Sequence, residues 1–218
     1  MAVGDPNDFC LVHYMCTPTV NGGIGLLTII TGPMFSGKTT ELLRLYDRKV
    51  IGDVPCLLVK YCGDTRYSSD EIMSHRTTGG HGVQAPAMSA GTISEIMDHI
   101  DGPCAAVFID EIQFFPDKGV ILDILDLGID VFVSGLNGDW QRKMFPGMSE
   151  LFSAACNITM LQAVCGFCKA DNACYTVRTT SENEDIVIGG ADKYKAACPK
   201  CQALNRGLGS TKKFDDPG

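Results

Sequence analysis

Apolar residues come along this chain in short runs broken by glycine and charge, and each run has a readable period. Leu26-Leu27-Thr28-Ile29-Ile30 is apolar enough for a strand buried on both faces, and it runs into Gly32. Leu42, Leu43, Leu45 and Tyr46 then fit the inner face of a helix. Cys56-Leu57-Leu58-Val59-Lys60 is a second strand. Thr92-Ile93-Ser94-Glu95 has the form of a capping box, in which Thr92 and Glu95 satisfy each other's orphan N–H groups. Ile93, Ile96, Met97 and Ile100 follow at i, i+3, i+4 and i+7, a helix with an apolar stripe. Ala105–Ile109 is a buried strand running into Asp110-Glu111. Val120, Ile121, Ile124 and Leu125 mark a helix that Gly128 stops, and Asp130–Val133 is again a strand. Strand and helix alternate through residue 135, which predicts an α/β fold with a parallel sheet covered by helices.

From about Gln162 the alternation gives way to paired cysteines, a polar SENED loop and the glycine-rich turn IGGADKY. That change predicts a boundary between a main domain, 23–161, and a small second domain, 162–206. Residues 1–22 lack periodicity and read as an N-terminal tail, and 207–218 as a C-terminal one.

Gly32-Pro33-Met34-Phe35-Ser36-Gly37-Lys38-Thr39 matches the phosphate-binding loop G-x-x-x-x-G-K-[ST] in full. The glycines let backbone N–H groups converge on one anion, Lys38 adds a positive charge, and the Thr39 hydroxyl can hold Mg²⁺. The strand before it and the helix after it separate this match from a plain glycine-rich turn. Asp110, at the end of an apolar strand, stands where a Walker B carboxylate reaches the metal. Glu111 is next to it and, on an extended chain, points elsewhere. Two roles fit: general base for an attacking hydroxyl, or a solvent-facing residue capping the next helix.

Cys165-Gly166-Phe167-Cys168 and Cys198-Pro199-Lys200-Cys201 are two C-x-x-C knuckles. Four thiolates so arranged suit tetrahedral zinc with no open position, hence a structural site, while a redox pair is the competing reading. Phe114-Phe115, Trp140 and Phe145 are either core residues or the walls of a flat slot for a planar base. The four histidines form no ligand cluster, and His81 is expected to be solvated.

Composition narrows the field. In 218 residues, 45% are hydrophobic and 20% charged, ordinary for a globular protein with a sizeable core. A net charge of −8 argues against a polynucleotide partner, whose binding is driven by a basic face. Eleven cysteines, no signal-peptide pattern and no membrane-length apolar run point to a reducing cytoplasm, where grouped cysteines bind metal more often than they form disulfides.

The segments GPMFSGKTTEL, VKYCGDTRYSS, FIDEIQFFPD, GLNGDWQRKMF, AVCGFC, CYTVRT and VIGGADKY followed by CPKC resemble, in order and over about residues 26 to 202, the cytosolic-type (type II) thymidine kinases. The resemblance implies a P-loop NTPase (RecA-like) sheet with a zinc-ribbon or lasso domain. It implies transfer of the ATP γ-phosphate to the 5′-hydroxyl of thymidine, with deoxyuridine as a further acceptor, in nucleotide salvage for DNA synthesis. Mg²⁺ and structural Zn²⁺ are the implied metals, a homotetramer the implied assembly, and dTTP a feedback ligand. Glu111 corresponds to the catalytic base. Gly32, Met34, Phe35, Ser36, Gly37, Lys38, Thr39, Thr40, Asp110, Gln113 and Arg178 fall to ATP, with Thr39 and Asp110 on Mg²⁺. Met34, Phe114, Leu136, Trp140 and Phe145 surround the thymine, and Thr176, Val187, Ile188, Gly189 and Tyr194 lie on the lasso that closes over it.

Three departures stand out. Ser74-His75-Arg76 lacks the acidic residue usual after the TRYSS segment, Trp140 replaces a phenylalanine, and Ile112 replaces a glycine or alanine and should crowd the neighbouring strand or the slot. Two other function classes compete: a nucleic-acid-associated P-loop ATPase with a zinc ribbon, and a redox-sensing binding protein using the knuckle cysteines.

Overall fold

The computed structural model describes residues 23–64, 71–73, 84–100, 102–180 and 192–205. In chain order the elements begin β1 (Leu27–Gly32), α1 (Lys38–Ile51), β2 (Cys56–Tyr61), β3 (Glu71–Met73), β4 (Gln84–Pro86), β5 (Met88–Ala90) and α2 (Ile93–Asp98). They continue β6 (Ala106–Ile109), a single 3₁₀ turn (Ile112–Phe114), α3 (Val120–Asp126), β7 (Asp130–Leu136), α4 (Met148–Ala154) and β8 (Asn157–Met160). The last are β9 (Ala163–Val164), β10 (Asn172–Ala173), β11 (Tyr175–Arg178), β12 (Tyr194–Ala197) and α5 (Pro199–Leu204).

Six strands form one sheet in the order β5-β2-β6-β7-β1-β8, and each pairing in it is parallel. The near-continuous apolar runs of the central strands follow from burial on both faces. Along β6 the side chains divide strictly by alternation. Val107 and Ile109 join the larger core with Ile93 and Ile96 of α2, Ile121 and Ile124 of α3, and Leu151 of α4. Ala106 and Phe108 face the other way, onto Leu42 and Leu43 of α1. There Phe108 stacks on Phe132 of β7 with ring centroids 4.5 Å apart.

Strands β5 and β8 extend the sheet at its two ends and carry no strong apolar signal; all four residues of β8 are exposed. The β3–β4 hairpin is antiparallel and stands outside the sheet, with Ile72 and Ala85 packed on the α1 side.

The capping box forms only in part. Thr92 Oγ1 accepts from Glu95 N–H (3.2 Å), but the Glu95 carboxylate accepts from Gly91 N–H (2.8 Å), one residue before the cap. The donors of Ile93 and Ser94 go instead to Asp117, which arrives from the loop before α3 (2.8 and 2.9 Å). Helix α2 stops at Asp98, so Ile100 packs on the core from beyond the helix.

After β8 the chain builds two small antiparallel pairs, β9 with β10 and β11 with β12, closed by α5. Their shared core is Ala163, Cys165, Ala173, Ala196 and Cys198. Residues 1–22, 207–218, Ser74-His75-Arg76, His81, Val187, Ile188 and Gly189 lie outside the described residues.

Candidate active site

The loop between β1 and α1 sits at the C-terminal end of β1, an interior strand between β7 and β8, where parallel α/β sheets bind ligands. Gly37 takes φ 83°, a left-handed conformation that side chains resist, so the loop can turn sharply into α1. No side chain caps α1. Its first N–H groups therefore remain for an anion, helped by the helix dipole. Pro33 carbonyl accepts from Lys38 Nζ (2.8 Å) and from Ser36 Oγ (2.9 Å), which ties the loop across itself.

Asp110 leaves the end of β6 and is buried. Its Oδ2 accepts from Thr39 Oγ1 (2.9 Å), while its Oδ1 accepts from Glu111 N–H (3.1 Å) and from the Ser134 hydroxyl on β7. Burial, and then the charge of Glu111, push the Asp110 carboxyl up to about 6, against the hydrogen bonds of Ser134 and Thr39 and the charge of Lys38. A carboxylate held there at a cost is relieved by a cation. Ser134 is a member of this site that the apolar run VFVSG half conceals; its signal is a hydroxyl at a position with no exposure.

Strand alternation does not set the direction of Glu111. The strand has ended, and Glu111 itself adopts φ 55°, ψ 42°. That left-handed conformation costs a non-glycine residue about 1 kcal/mol or more and is typical of functional sites. Gln113 holds the result in place. Its Nε2 donates to Glu111 Oε2 (2.5 Å), and its Oε1 accepts from Leu136 N–H at the end of β7 (3.1 Å). Ile112 does not enter the slot. It is fully buried in the main core against Gly135, where an added Cβ would lie 2.7 Å from Ile112 Cγ2. The glycine makes the room that the larger residue needs.

The strands after β8 meet this loop directly. Met34 N–H donates to Thr176 Oγ1 on β11 (3.1 Å), and Asn137 Nδ2 donates to Cys174 carbonyl (3.0 Å). Two residues along the same face of β11, Arg178 is 1% exposed. Its guanidinium carbon stands 4.9 Å from the Trp140 ring centroid and 5.6 Å from that of Tyr194, whose hydroxyl accepts from Arg178 (3.2 Å). Phe114 is partly buried beside Tyr61 (5.6 Å), whereas Phe145 and Phe115 belong to the main core. Phe35 is half exposed and Thr40 exposed at the start of α1.

Cys165, Cys168, Cys198 and Cys201 bring their four sulfurs within 4.8 Å of one another. Zinc–sulfur bonds of about 2.3 Å in a tetrahedron put sulfurs about 3.8 Å apart, and Cys168 Sγ to Cys198 Sγ is 3.9 Å. Cys198 N–H also points at Cys165 Sγ (3.4 Å), the backbone support that thiolate ligands take. The cluster is placed for a metal ion and fits a structural zinc.

The family model described as thymidine kinase matches residues 25–202. The chain belongs to the thymidine kinase family. Curated thymidine kinases similar to it come from distant sources. That of Fowlpox virus is 38% identical over 178 residues, which is 81% of this chain and 96% of the viral protein. That of Mesomycoplasma hyopneumoniae is 39% identical over 183 residues, 83% of this chain and 96% of the bacterial one. The cytosolic thymidine kinase of Cricetulus griseus is 39% identical over 196 residues, 87% of this chain and 80% of its own length. A thymidine kinase is a transferase that uses ATP, which suits the loop at β1. Among the described residues no helix is long and apolar enough to cross a membrane.

Proposed function

We infer that the chain is an ATP:thymidine 5′-phosphotransferase in which the β1–α1 loop holds the ATP phosphates and Glu111 is the catalytic base. The observation that carries this is the pair Asp110-Glu111: one carboxylate accepts from Thr39, while the next, on a left-handed backbone, is clamped by Gln113. Phosphoryl transfer asks for positioning and charge neutralisation, with one group to take the proton of the nucleophile. Gly32–Thr40 with Lys38 supplies the anion cradle. Thr39 and Asp110 would hold Mg²⁺, which supplies charge neutralisation at the phosphates when bound. Glu111 receives the proton of the 5′-hydroxyl, and Gln113 keeps its carboxylate aimed.

Met34, Phe114, Leu136 and Trp140 form the proposed thymine slot from the sheet side, with Phe145 behind it; Thr176 and Tyr194 close it from the other side. Val187, Ile188 and Gly189, outside the described residues, are assigned to the same nucleoside by the resemblance alone. Arg178 joins the two sides. We assign the sheet and its helices, 23–161, to a kinase domain and 162–206 to a zinc-held lasso domain, flanked by tails. Deoxyuridine is proposed as a second acceptor, dTTP as a feedback ligand, the homotetramer as the assembly and the cytoplasm as the location. The negative net charge supports a nucleoside rather than a polynucleotide partner.

The test is transfer of label from γ-labelled ATP to a panel of nucleosides. Labelled dTMP is expected. Absence of labelled nucleotide from every nucleoside, or ATP hydrolysis stimulated by DNA alone, overturns the reading.

A further inference from the structure

Trp140 is the only tryptophan of the chain, and it lies on the turn after β7, at the C-terminal edge of the sheet. The turn is held firmly. Asp139 N–H donates to Lys143 carbonyl (2.9 Å), and Asp139 Oδ1 accepts from the N–H groups of Gln141 (2.8 Å) and Lys143 (2.7 Å). One face of the indole carries the Arg178 guanidinium at 4.9 Å. Yet its Nε1 is wholly buried and has no hydrogen-bond partner among the described residues.

A buried N–H without an acceptor costs about 1–3 kcal/mol, and native proteins rarely leave one. Where they do, a ligand that completes the bond is a physical reason. The position itself points to one, because the same turn adjoins Leu136, whose N–H is tied to the clamp on Glu111. We propose that Trp140 is a specificity-determining residue whose indole N–H donates to an acceptor oxygen of the bound nucleoside. This rests on the thymidine kinase reading above and deepens it. A phenylalanine at this position would offer a ring but no donor. The candidate acceptors are the two pyrimidine carbonyls and the 3′-oxygen of the sugar, and they share one chemistry.

The experiment compares KM for thymidine, 2-thiothymidine, 4-thiothymidine and 3′-deoxythymidine in the full chain and in Trp140→Phe. Sulfur is a weak acceptor, so each analogue removes one candidate. The wild type is expected to lose about three- to tenfold in KM with the analogue that lacks the true acceptor, the net worth of one hydrogen bond. Trp140→Phe is expected to show that penalty for thymidine itself and no additional penalty for the same analogue. KM for ATP should be the same in both proteins. Equal analogue ratios in the two proteins overturn the proposal. If Trp140→Phe does not fold, the emission of the single tryptophan in the wild type decides. Thymidine should shift it more than the critical analogue does, and identical shifts for all four ligands overturn the proposal. A wild type that phosphorylates no nucleoside overturns the kinase reading and this inference with it. A wild type active on thymidine with unchanged ratios overturns this inference alone.

Discussion

The two sides of the proposed site are held together by different forces. The nucleotide side rests on a sheet whose central strands are buried on both faces by large side chains from four helices. The β9–β12 side has a core of three alanines and two of its cysteines. Burying large aliphatic side chains stabilises by about 1.5–3 kcal/mol each, which small ones cannot match. The first region can therefore hold its loop to the accuracy that phosphate positioning needs by packing alone. The second must borrow rigidity from the metal that its four sulfurs fit and from its contacts with the first. On the proposed function the lesson is a division of labour: the rigid half would do the charge chemistry, and the metal-dependent half would contact the nucleoside.

The largest effect expected from that division is chemical and leaves stability alone. Glu111→Gln should lower kcat by about 10² to 10⁴, the usual worth of a positioned base, with nucleoside binding retained. A kcat close to wild type would return Glu111 to a capping role. Next comes metal removal. Stripping the thiolate-bound metal and then restoring Mg²⁺ in excess should lower thymidine turnover about a hundredfold, since a small misplacement of a bound substrate costs that much. Limited proteolysis should then cut first within 162–206 while circular dichroism of the sheet persists. Simultaneous loss of both regions would break the comparison.

The seam should be weaker. In Thr176→Val, Met34 N–H loses its acceptor, which should raise KM for thymidine about three- to tenfold, the net worth of one hydrogen bond. A raised KM for thymidine with a nearly unchanged melting temperature would sharpen the distinction between the two regions. A fall in melting temperature with KM unchanged would make the seam merely structural.

The smallest effect lies wholly within the sheet region. Burial raises the Asp117 carboxyl, but the N–H groups of Ile93 and Ser94 and the Ser94 hydroxyl outweigh it and hold the group below its usual range. A depressed carboxyl contributes stability above its unfolded pKa of about 3.9, and that contribution is lost as pH falls through the lower folded value. Asp117→Asn should cost about 0.3–1 kcal/mol at neutral pH, the usual worth of a negative charge at a helix N-terminus. Denaturant midpoints should show the difference shrinking in acid. A difference constant with pH would contradict the charge argument.

Much of the central sheet was readable because burial on both faces leaves unbroken apolar runs such as Ala105–Ile109. The edge strands β5 and β8 were not, because they are short and their residues need not be apolar. In the site, the phosphate loop and the four cysteines announce themselves by spacing, since local backbone geometry and knuckle geometry are encoded over a few residues. Ser134 and Asp117 do not, because each acts on a partner about 24 residues away.

By itself the sequence determined the alternation of strands and helices, the anion-binding loop, the sulfur set and the resemblance to a kinase family. These depend on periodicity and short spacing, which chain connectivity preserves. Four features emerged from the tertiary structure alone: Glu111 adopts a left-handed backbone, Gln113 clamps it, Ile112 buries against Gly135, and Trp140 holds an indole N–H with no partner among the described residues. Each of these is a meeting of distant segments or a choice of backbone well, and no local pattern of residue types specifies which one packing will favour.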